Sequence, residues 1–154
     1  MSPEQMKRQA RRLAEEVFTQ GDLAVVDELI AHDDVDHSST PPERTSLAVL
    51  KDRVTVLRRA FPDLHLIVED QIVEADRVAT RSTVRGTHAG EFLGLAPTGR
   101  QVLFELIDVN RVGDDGRIAQ HWAAVDTHSL LQQLGALRGL GGVDAHTTPA
   151  RRRT

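Results

Sequence analysis

The sequence contains no cysteine and no tyrosine, and aromatic residues make up only 3% of the chain. Without cysteine the chain cannot form disulfides, thiolate nucleophiles or cysteine-ligated zinc sites. Without tyrosine, no phenolic hydroxyl is available as an acid or as a donor to an oxyanion. One tryptophan and four phenylalanines are too few for the stacking platforms that nucleic-acid-binding proteins commonly use. These absences exclude cysteine chemistry and argue against nucleic acid as a partner.

Long hydrophobic runs and an excess of basic charge are also missing. No apolar run approaches the roughly 18 residues that a membrane-spanning helix needs, and the polar segment 1–10 is unlike a secretory signal. The net charge is −4, and 154 residues with 40% hydrophobic content suit one globular domain. We therefore expect a soluble, cytoplasmic protein with no membrane partner.

The hydrophobic pattern changes from a helical period to a strand period near Pro62. Ser2 is expected to cap the first helix and Gly21 to end it. Helices followed by a run of antiparallel strands indicate an α+β fold, here one domain at 1–138 with a disordered tail at 139–154. Helices are predicted at 3–20, 23–31, 46–60 and 127–134, an extended stretch at 32–37, and strands at 64–74, 78–88, 101–112 and 117–125.

Strands 64–74 and 101–112 are apolar on both faces, which is typical of a sheet that is covered on both sides. The N-terminal helices can cover one side and a partner chain the other. A strongly curved sheet can also enclose a cavity against the helices, where a small ligand binds.

Trp122 and Asp126 lie four residues apart at the end of a predicted strand, so they point to the same face. Asp126 is a preferred helix N-cap type and precedes a predicted helix. A carboxylate at a strand end that opens into a cavity can also become a base with a shifted pKa. The pattern alone leaves both roles open and favours the cap somewhat.

The loop that precedes this strand decides which residues face Trp122. A three-residue loop at 114–116, with its glycine in a bulge, puts Asp108 and Asn110 on that face. A two- or four-residue loop puts Ile107 and Val109 there instead. A glycine at the last loop position favours the first arrangement.

Seven histidines raise the possibility of a metal site, but none forms a tight ligand pair, and we predict no metal. His37 and His88 stand at the ends of predicted elements next to loops, where the mouth of a cavity could lie. There is no nucleophile elbow and no phosphate-binding glycine loop. The candidate chemistry is therefore that of carboxylates, amides and imidazoles.

Several segments resemble, in their order and spacing, the signature of the SnoaL-like polyketide cyclases, also called ester cyclases. The resemblance covers roughly residues 14–137. It rests on Gly21-Asp22-Leu23, Val35-Asp36-His37, Gly86-Thr87-His88-Ala89-Gly90-Glu91-Phe92-Leu93-Gly94, Pro97-Thr98-Gly99-Arg100, Asp115-Gly116-Arg117-Ile118, His121-Trp122, Asp126 and Gln133-Leu134-Gly135.

The resemblance implies a cone-shaped α+β barrel of the nuclear-transport-factor-2-like superfamily, assembled as a homodimer or homotetramer. It also implies a cofactor-free enzyme of secondary metabolism that closes a ring in a small polyketide-like or polycyclic ligand by an aldol reaction. Asp126 would be the general acid/base, which suits a carboxylate in an apolar pocket. The residues expected to bind substrate are Asn110, Trp122, His37, His88, Phe104 and Asp108.

Asn110 departs from the family pattern, because many of these cyclases have histidine near this position. An asparagine can donate a hydrogen bond to an enolate but cannot transfer a proton. Two alternatives stay open: a limonene-type epoxide hydrolase, for which the chain has Asp108, Arg111 and Asp126 but no tyrosine, and a non-catalytic ligand-binding module of the same fold.

Overall fold

The computed structural model describes residues 1–38, 43–44 and 46–137, so the predicted tail at 139–154 lies outside the described residues. The described chain is a mixed α+β structure, which confirms the predicted class. Its helices are α1 (Pro3–Arg12), which continues as a π-helix (Leu13–Gln20), α2 (Ala24–Leu29), α3 (Leu47–Ala60) and α4 (Thr127–Gln133). Its strands are β1 (Ile30–Asp36), β2 (Glu43–Arg44), β3 (His65–Glu74), β4 (Arg77–Thr87), β5 (Gln101–Val112) and β6 (Ile118–Val125).

The first helical segment begins and ends where the sequence predicts. The Ser2 side chain accepts a hydrogen bond from the backbone N–H of Gln5, and the Gln5 side chain accepts one from the backbone N–H of Ser2. This reciprocal capping box satisfies two backbone donors that the helix leaves free. At the other end Gly21 has a φ of 78°, a left-handed conformation that glycine adopts at little cost.

The strands form one six-stranded curved sheet in the order β2-β1-β6-β5-β4-β3. Strands β3 to β6 pair antiparallel in sequence order, whereas β1 joins the edge of β6 in parallel. The chain enters β1 directly after Leu29, so α2 is shorter than the predicted helix at 23–31. This pairing places β1, which directly follows α2, alongside the last strand.

The helices cover one face of the sheet, which we call the inner face. Buried apolar side chains of this face pack against α1, the π-helix, α3 and α4 in three clusters. Each fully buried Val or Leu contributes about 1.5–3 kcal/mol. The inner-face members of these clusters are Leu66, Val78, Val84, Val102, Val112 and Ile118.

The register of β5 against β6 differs from the one that the sequence favoured. Val109 pairs with Trp122 and Asn110 pairs with His121. The hairpin loop spans 113–117. The pairing of β5 with β6 then shifts between Arg111 and Val112, because β6 has one extra residue between the partners of these two. Paired residues share a face, so Trp122 lies with Val109 on the outer face, and the expected grouping of Trp122 with Asn110 is wrong.

The segment 88–100 folds back over the end of α3. The backbone N–H groups of Ala89 and Gly90 both donate to the carbonyl oxygen of Ala60. A Cβ at Gly90 would lie 2.2 Å from the carbonyl oxygen of Arg59, so only glycine fits this approach. No helix in the described part of the chain is long and apolar enough to cross a membrane.

Candidate active site

A band of polar side chains interrupts the apolar inner face near one end of β4, β5 and β6. Asp108 pairs with Thr80, and Asn110 pairs with His121. Strand alternation and these registers place the side chains on the helix-covered side, with Ser82 as the next inner residue of β4. Buried polar groups in an apolar interior cost free energy unless they find partners, which marks this band as a candidate site.

Asp108 and Asn110 form the centre of the band. The Asn110 Nδ2 atom donates a hydrogen bond of 2.6 Å to Oδ1 of Asp108, and Asn110 is fully buried. Burial raises the pKa of Asp108 from 3.8 to about 6, against the opposing effects of His121 and of the Asn110 hydrogen bond. A pKa of about 6 brings this carboxyl closer to the working pH, which favours a general acid/base.

His121 is held from the other side by a buried carboxylate of β1. Its Nδ1 atom lies 3.6 Å from Oδ1 of Asp36, which is itself bound by the Arg53 guanidinium from α3. His121 and Arg53, together with the backbone N–H of Ser38, keep the pKa of Asp36 well below its usual range, despite the opposing effect of burial. Because Nδ1 faces Asp36, the Nε2 atom of His121 is the ring nitrogen available to a substrate.

Asp34 is a second buried carboxyl of β1. Burial raises the pKa of Asp34 to about 6, while His121 acts to lower it. Its Oδ1 atom has no hydrogen-bond partner among the residues that the structure describes. The site therefore combines one carboxyl with a lowered pKa, Asp36, and two carboxyls whose pKa is raised to about 6, Asp34 and Asp108.

This arrangement fits proton transfer. A carboxylate with a pKa near 6, an imidazole and an amide within one desolvated band are the parts of general acid/base catalysis. Within the described ranges, no group of three or more His, Asp or Glu side chains is arranged to hold a metal ion. Two surface hollows of about 310 and 270 Å³ lie elsewhere, one beside α1 and β3 and the other beside Gly21 and α3.

Asp126 lies outside this band. It is exposed at the end of β6, and its Oδ1 atom accepts a hydrogen bond of 3.0 Å from the backbone N–H of Ser129, as an N-cap of α4 does. Of the two roles that the sequence left open, this geometry favours the cap. A catalytic role for Asp126 stays a prediction, and the side chain is exposed.

Trp122 and His37 lie together, but away from Asn110. Their rings stack with centroids 4.4 Å apart and planes inclined by 6°, and the guanidinium carbon of Arg77 lies 5.0 Å from the centroid of the Trp122 ring. The register places Trp122 on the outer face. The prediction that His37 and Trp122 line one pocket with Asn110 therefore has no support in this geometry.

His88 and Phe104 lie on the inner face, toward the apolar end. Phe104 packs against the cluster that contains Phe61 and Leu66. His88 is fully buried, and its Nδ1 atom accepts from the backbone N–H of Thr98 at 3.3 Å, while its ring tilts against Phe61. His88 thus ties the 88–100 segment to the core and is separated from Asp108 along β4.

Sequence reasoning missed four residues of the site, Asp34, Asp36, Arg53 and His121. The alternation Asp34-Val35-Asp36 in a predicted extended stretch was a usable signal, because carboxylates at alternate positions share a face. Arg111, which the hydrolase alternative names together with Asp108 and Asp126, lies on the opposite face of β5 from Asp108.

Comparisons with known proteins agree with the fold and identify the family. The sequence profile of the SnoaL-like polyketide cyclase family matches residues 8–134. None of the curated proteins compared with the chain matches it.

Solved structures from Streptomyces are similar over most of the chain. TsrD from Streptomyces laurentii has 26% identity and a TM-score of 0.80, covering 89% of this chain and 99% of its own. AclR from Streptomyces galilaeus, provisionally described as a hydroxylase, has 32% identity and a TM-score of 0.80 and covers 92% of both chains. IdmH from Streptomyces antibioticus, provisionally described as a polyketide cyclase, has 35% identity and a TM-score of 0.74, covering 85% of this chain and 99% of its own.

Proposed function

Because the chain belongs to the SnoaL-like polyketide cyclase family, we propose that it closes a ring in a polyketide-like substrate by an intramolecular aldol reaction without a cofactor. The observation that carries this proposal is the side-chain hydrogen bond between Asn110 and Asp108 on the inner face. His121 lies beside them, opposite Asn110 on β6. A carbon between two carbonyls is acidic enough for a carboxylate base, so the site needs no metal ion to generate the enolate.

Asp108 acts as the base in this mechanism. Its carboxylate takes a proton from the activated carbon, and the enolate carbon attacks a second carbonyl of the same chain to form the new carbon–carbon bond. His121, in its protonated form, gives a proton to the oxygen of the attacked carbonyl. Transfer of the proton from Asp108 back to His121 restores the starting state. Holding the two reacting carbons together supplies much of the remaining rate enhancement.

Asp36 and Arg53 support this step by fixing His121. Asp36 is almost completely buried, and its contacts to Arg53 and His121 set the direction of the imidazole ring. We expect neither residue to contact the reacting carbons, so both are positioning residues. Asp126, as the exposed cap of α4, is not needed for the chemistry.

Turnover of a synthetic poly-β-ketone ester tests the proposal. Asp108→Asn removes the base but keeps an oxygen that accepts from Asn110, so we expect kcat to fall by about 10²- to 10⁴-fold. His121→Gln is expected to lower kcat on a similar scale. Asp126→Asn is the matched control, because asparagine also caps helices well, and we expect kcat within about twofold of the parent value.

The opposite order of kcat values would assign the catalytic role to Asp126. If Asp126→Asn abolishes turnover while Asp108→Asn leaves it unchanged, the acid/base assignment made here is wrong. If no variant and no parent protein cyclises any poly-β-ketone, the cyclase proposal itself fails and the binding-module alternative gains support.

We also propose that the outer face of the sheet joins two copies of the chain in a homodimer. Exposed Ile72, Leu103 and Ile107 lie on this face with the half-buried Trp122. Apolar and aromatic side chains exposed on a sheet face favour association. Ile107→Glu is expected to shift the chain to a monomer in sedimentation analysis, whereas a parent protein that is already monomeric contradicts this proposal.

A further inference from the structure

The hollow of about 310 Å³ between α1 and β3 is lined entirely by polar and charged side chains, none of which belongs to the candidate active site. Four of the lining residues come from α1, namely Glu4, Lys7, Arg8 and Arg11, and Gln71 of β3 is the fifth. Their spacing along α1 puts the first four on one face of the helix. We call this feature the α1–β3 hollow, and its volume is at the lower end of the range for small-ligand sites.

Positive charge dominates the α1–β3 hollow, which holds three cationic side chains and one carboxylate. The Nζ atom of Lys7 lies 3.2 Å from Oε1 of Glu4, and Nη1 of Arg11 lies 3.2 Å from Oε1 of Glu15. Arg8 is exposed and makes no ion pair with any residue that the structure describes. The chain as a whole has a net charge of −4, so this excess of positive charge is local, and a bound anion would compensate it.

Gln71 forms a fixed wall of the hollow. Its Nε2 atom donates to the carbonyl oxygen of Lys7 at 3.1 Å and to Oγ1 of Thr80 at 3.3 Å. These two contacts use both amide hydrogens, so Oε1 is the atom that is left for a ligand, and it can only accept. The carboxylate of Glu4 also only accepts. The hollow therefore combines cationic donors with acceptors, and it suits a ligand that carries both anionic oxygens and an O–H group.

We propose that the α1–β3 hollow binds a small soluble phosphate. Its anionic oxygens accept charge-assisted hydrogen bonds from Arg8, Lys7 and Arg11, and an O–H group of the same ligand donates to Oε1 of Gln71. Arginine and lysine are the side chains that bind phosphate in this way, arginine often with two parallel hydrogen bonds. The other common source of phosphate groups is an anionic membrane surface, which the negative charge of the whole chain disfavours. This site does not depend on the proposed cyclase function.

Calorimetric titration of the full chain with inorganic phosphate near neutral pH tests the proposal. The buffer contains about 0.1 M sodium chloride, which screens charges more than about 10 Å apart. Sulfate is the comparison ion, because it carries two negative charges but no O–H group at this pH. We expect phosphate to bind at least about threefold more tightly than sulfate, through the additional hydrogen bond. Arg8→Gln is expected to weaken phosphate binding by about tenfold or more, through loss of a charge-assisted hydrogen bond.

Arg12→Gln is the matched control, because it removes the same charge from the same helix. The Arg12 guanidinium is held by Glu16 and Glu28, and it does not line the hollow. Phosphate affinity of this variant should stay within about twofold of the parent value. Thermal unfolding separates a binding role of Arg8 from a structural one. Because Arg8 is exposed, Arg8→Gln should melt at the same temperature as the parent protein.

Equal affinity for phosphate and sulfate overturns the proposal, as does an affinity that falls equally in Arg8→Gln and Arg12→Gln, because charge alone would then account for the binding. Failure of phosphate to bind overturns it as well. Co-sedimentation with vesicles that contain phosphatidic acid distinguishes the two sources of phosphate. The chain should stay in the supernatant, whereas sedimentation that Arg8→Gln abolishes would contradict a soluble ligand and assign the hollow to a lipid headgroup.

Discussion

Replacing Asp108 by asparagine should make the protein more stable at high pH while removing its activity. The raised pKa of Asp108, about 6 against 3.8 for the free side chain, means that burial opposes the charged form. A rise of this size corresponds to a loss of up to about 3 kcal/mol of unfolding free energy above the shifted pKa. Asparagine carries no charge and therefore avoids that loss.

The pH window of this effect follows from the sign of the shift. The folded state binds a proton at Asp108 more tightly than the unfolded state does, so the parent protein loses stability as the pH rises from about 4 to about 6. The stabilisation by Asp108→Asn should therefore be under about 1 kcal/mol near pH 4 and approach about 3 kcal/mol near pH 8. The Asn110 amide can donate to the new side chain, so the substitution leaves that hydrogen bond possible.

Urea unfolding of the parent protein and the variant at both pH values measures the difference. Asp126→Asn is the control, because it makes the same replacement at an exposed helix cap that asparagine also fills well, so a stabilisation of about 3 kcal/mol near pH 8 is not expected. A variant that is no more stable than the parent protein near pH 8 would refute the account of Asp108 as a buried, destabilised carboxylate.

Three further predictions test the structure around the site. Asp126→Ala should lower the free energy of unfolding by about 1 kcal/mol through loss of the α4 cap, measured by urea unfolding, whereas an unchanged value would contradict the capping role. Gly90→Ala should cost more than about 2 kcal/mol, because its Cβ would lie 2.2 Å from a carbonyl oxygen of α3. Gly94→Ala, with open space around it, should cost only about 1 kcal/mol, and equal melting temperatures for the two variants would refute the close-packing argument. Arg53→Gln should lower the free energy of unfolding by about 1–2 kcal/mol near neutral pH, after allowance for its partial exposure. That loss should shrink as the pH falls below about 4, because the stabilisation from the lowered pKa of Asp36 is lost progressively there. A loss that is independent of pH would count against the ion pair.

The sequence predicted the elements well, because its hydrophobic period is clear. The capping box at Ser2, the left-handed Gly21 and the bounds of β5 follow from local chemistry that needs no tertiary information. The α+β class follows from the order of these elements, and the family signature supports the same fold.

The site was harder to predict, because it depends on register and on a non-local pairing. One extra residue in β6 moves Trp122 to the outer face and His121 to the inner face. The parallel pairing of β1 with β6, which brings Asp36 to His121, joins segments about 85 residues apart and leaves no local pattern. Asp108 and Asn110 were nonetheless predicted as site residues, and the structure places both in the polar band.

The pH dependence of kcat/KM for cyclisation of a poly-β-ketone ester tests the central claim most directly. If Asp108 is the base, kcat/KM should rise with pH through an apparent pKa near 6, and Asp126→Asn should leave this limb in place. Loss of this limb in Asp126→Asn would contradict the account and assign the chemistry to the end of β6.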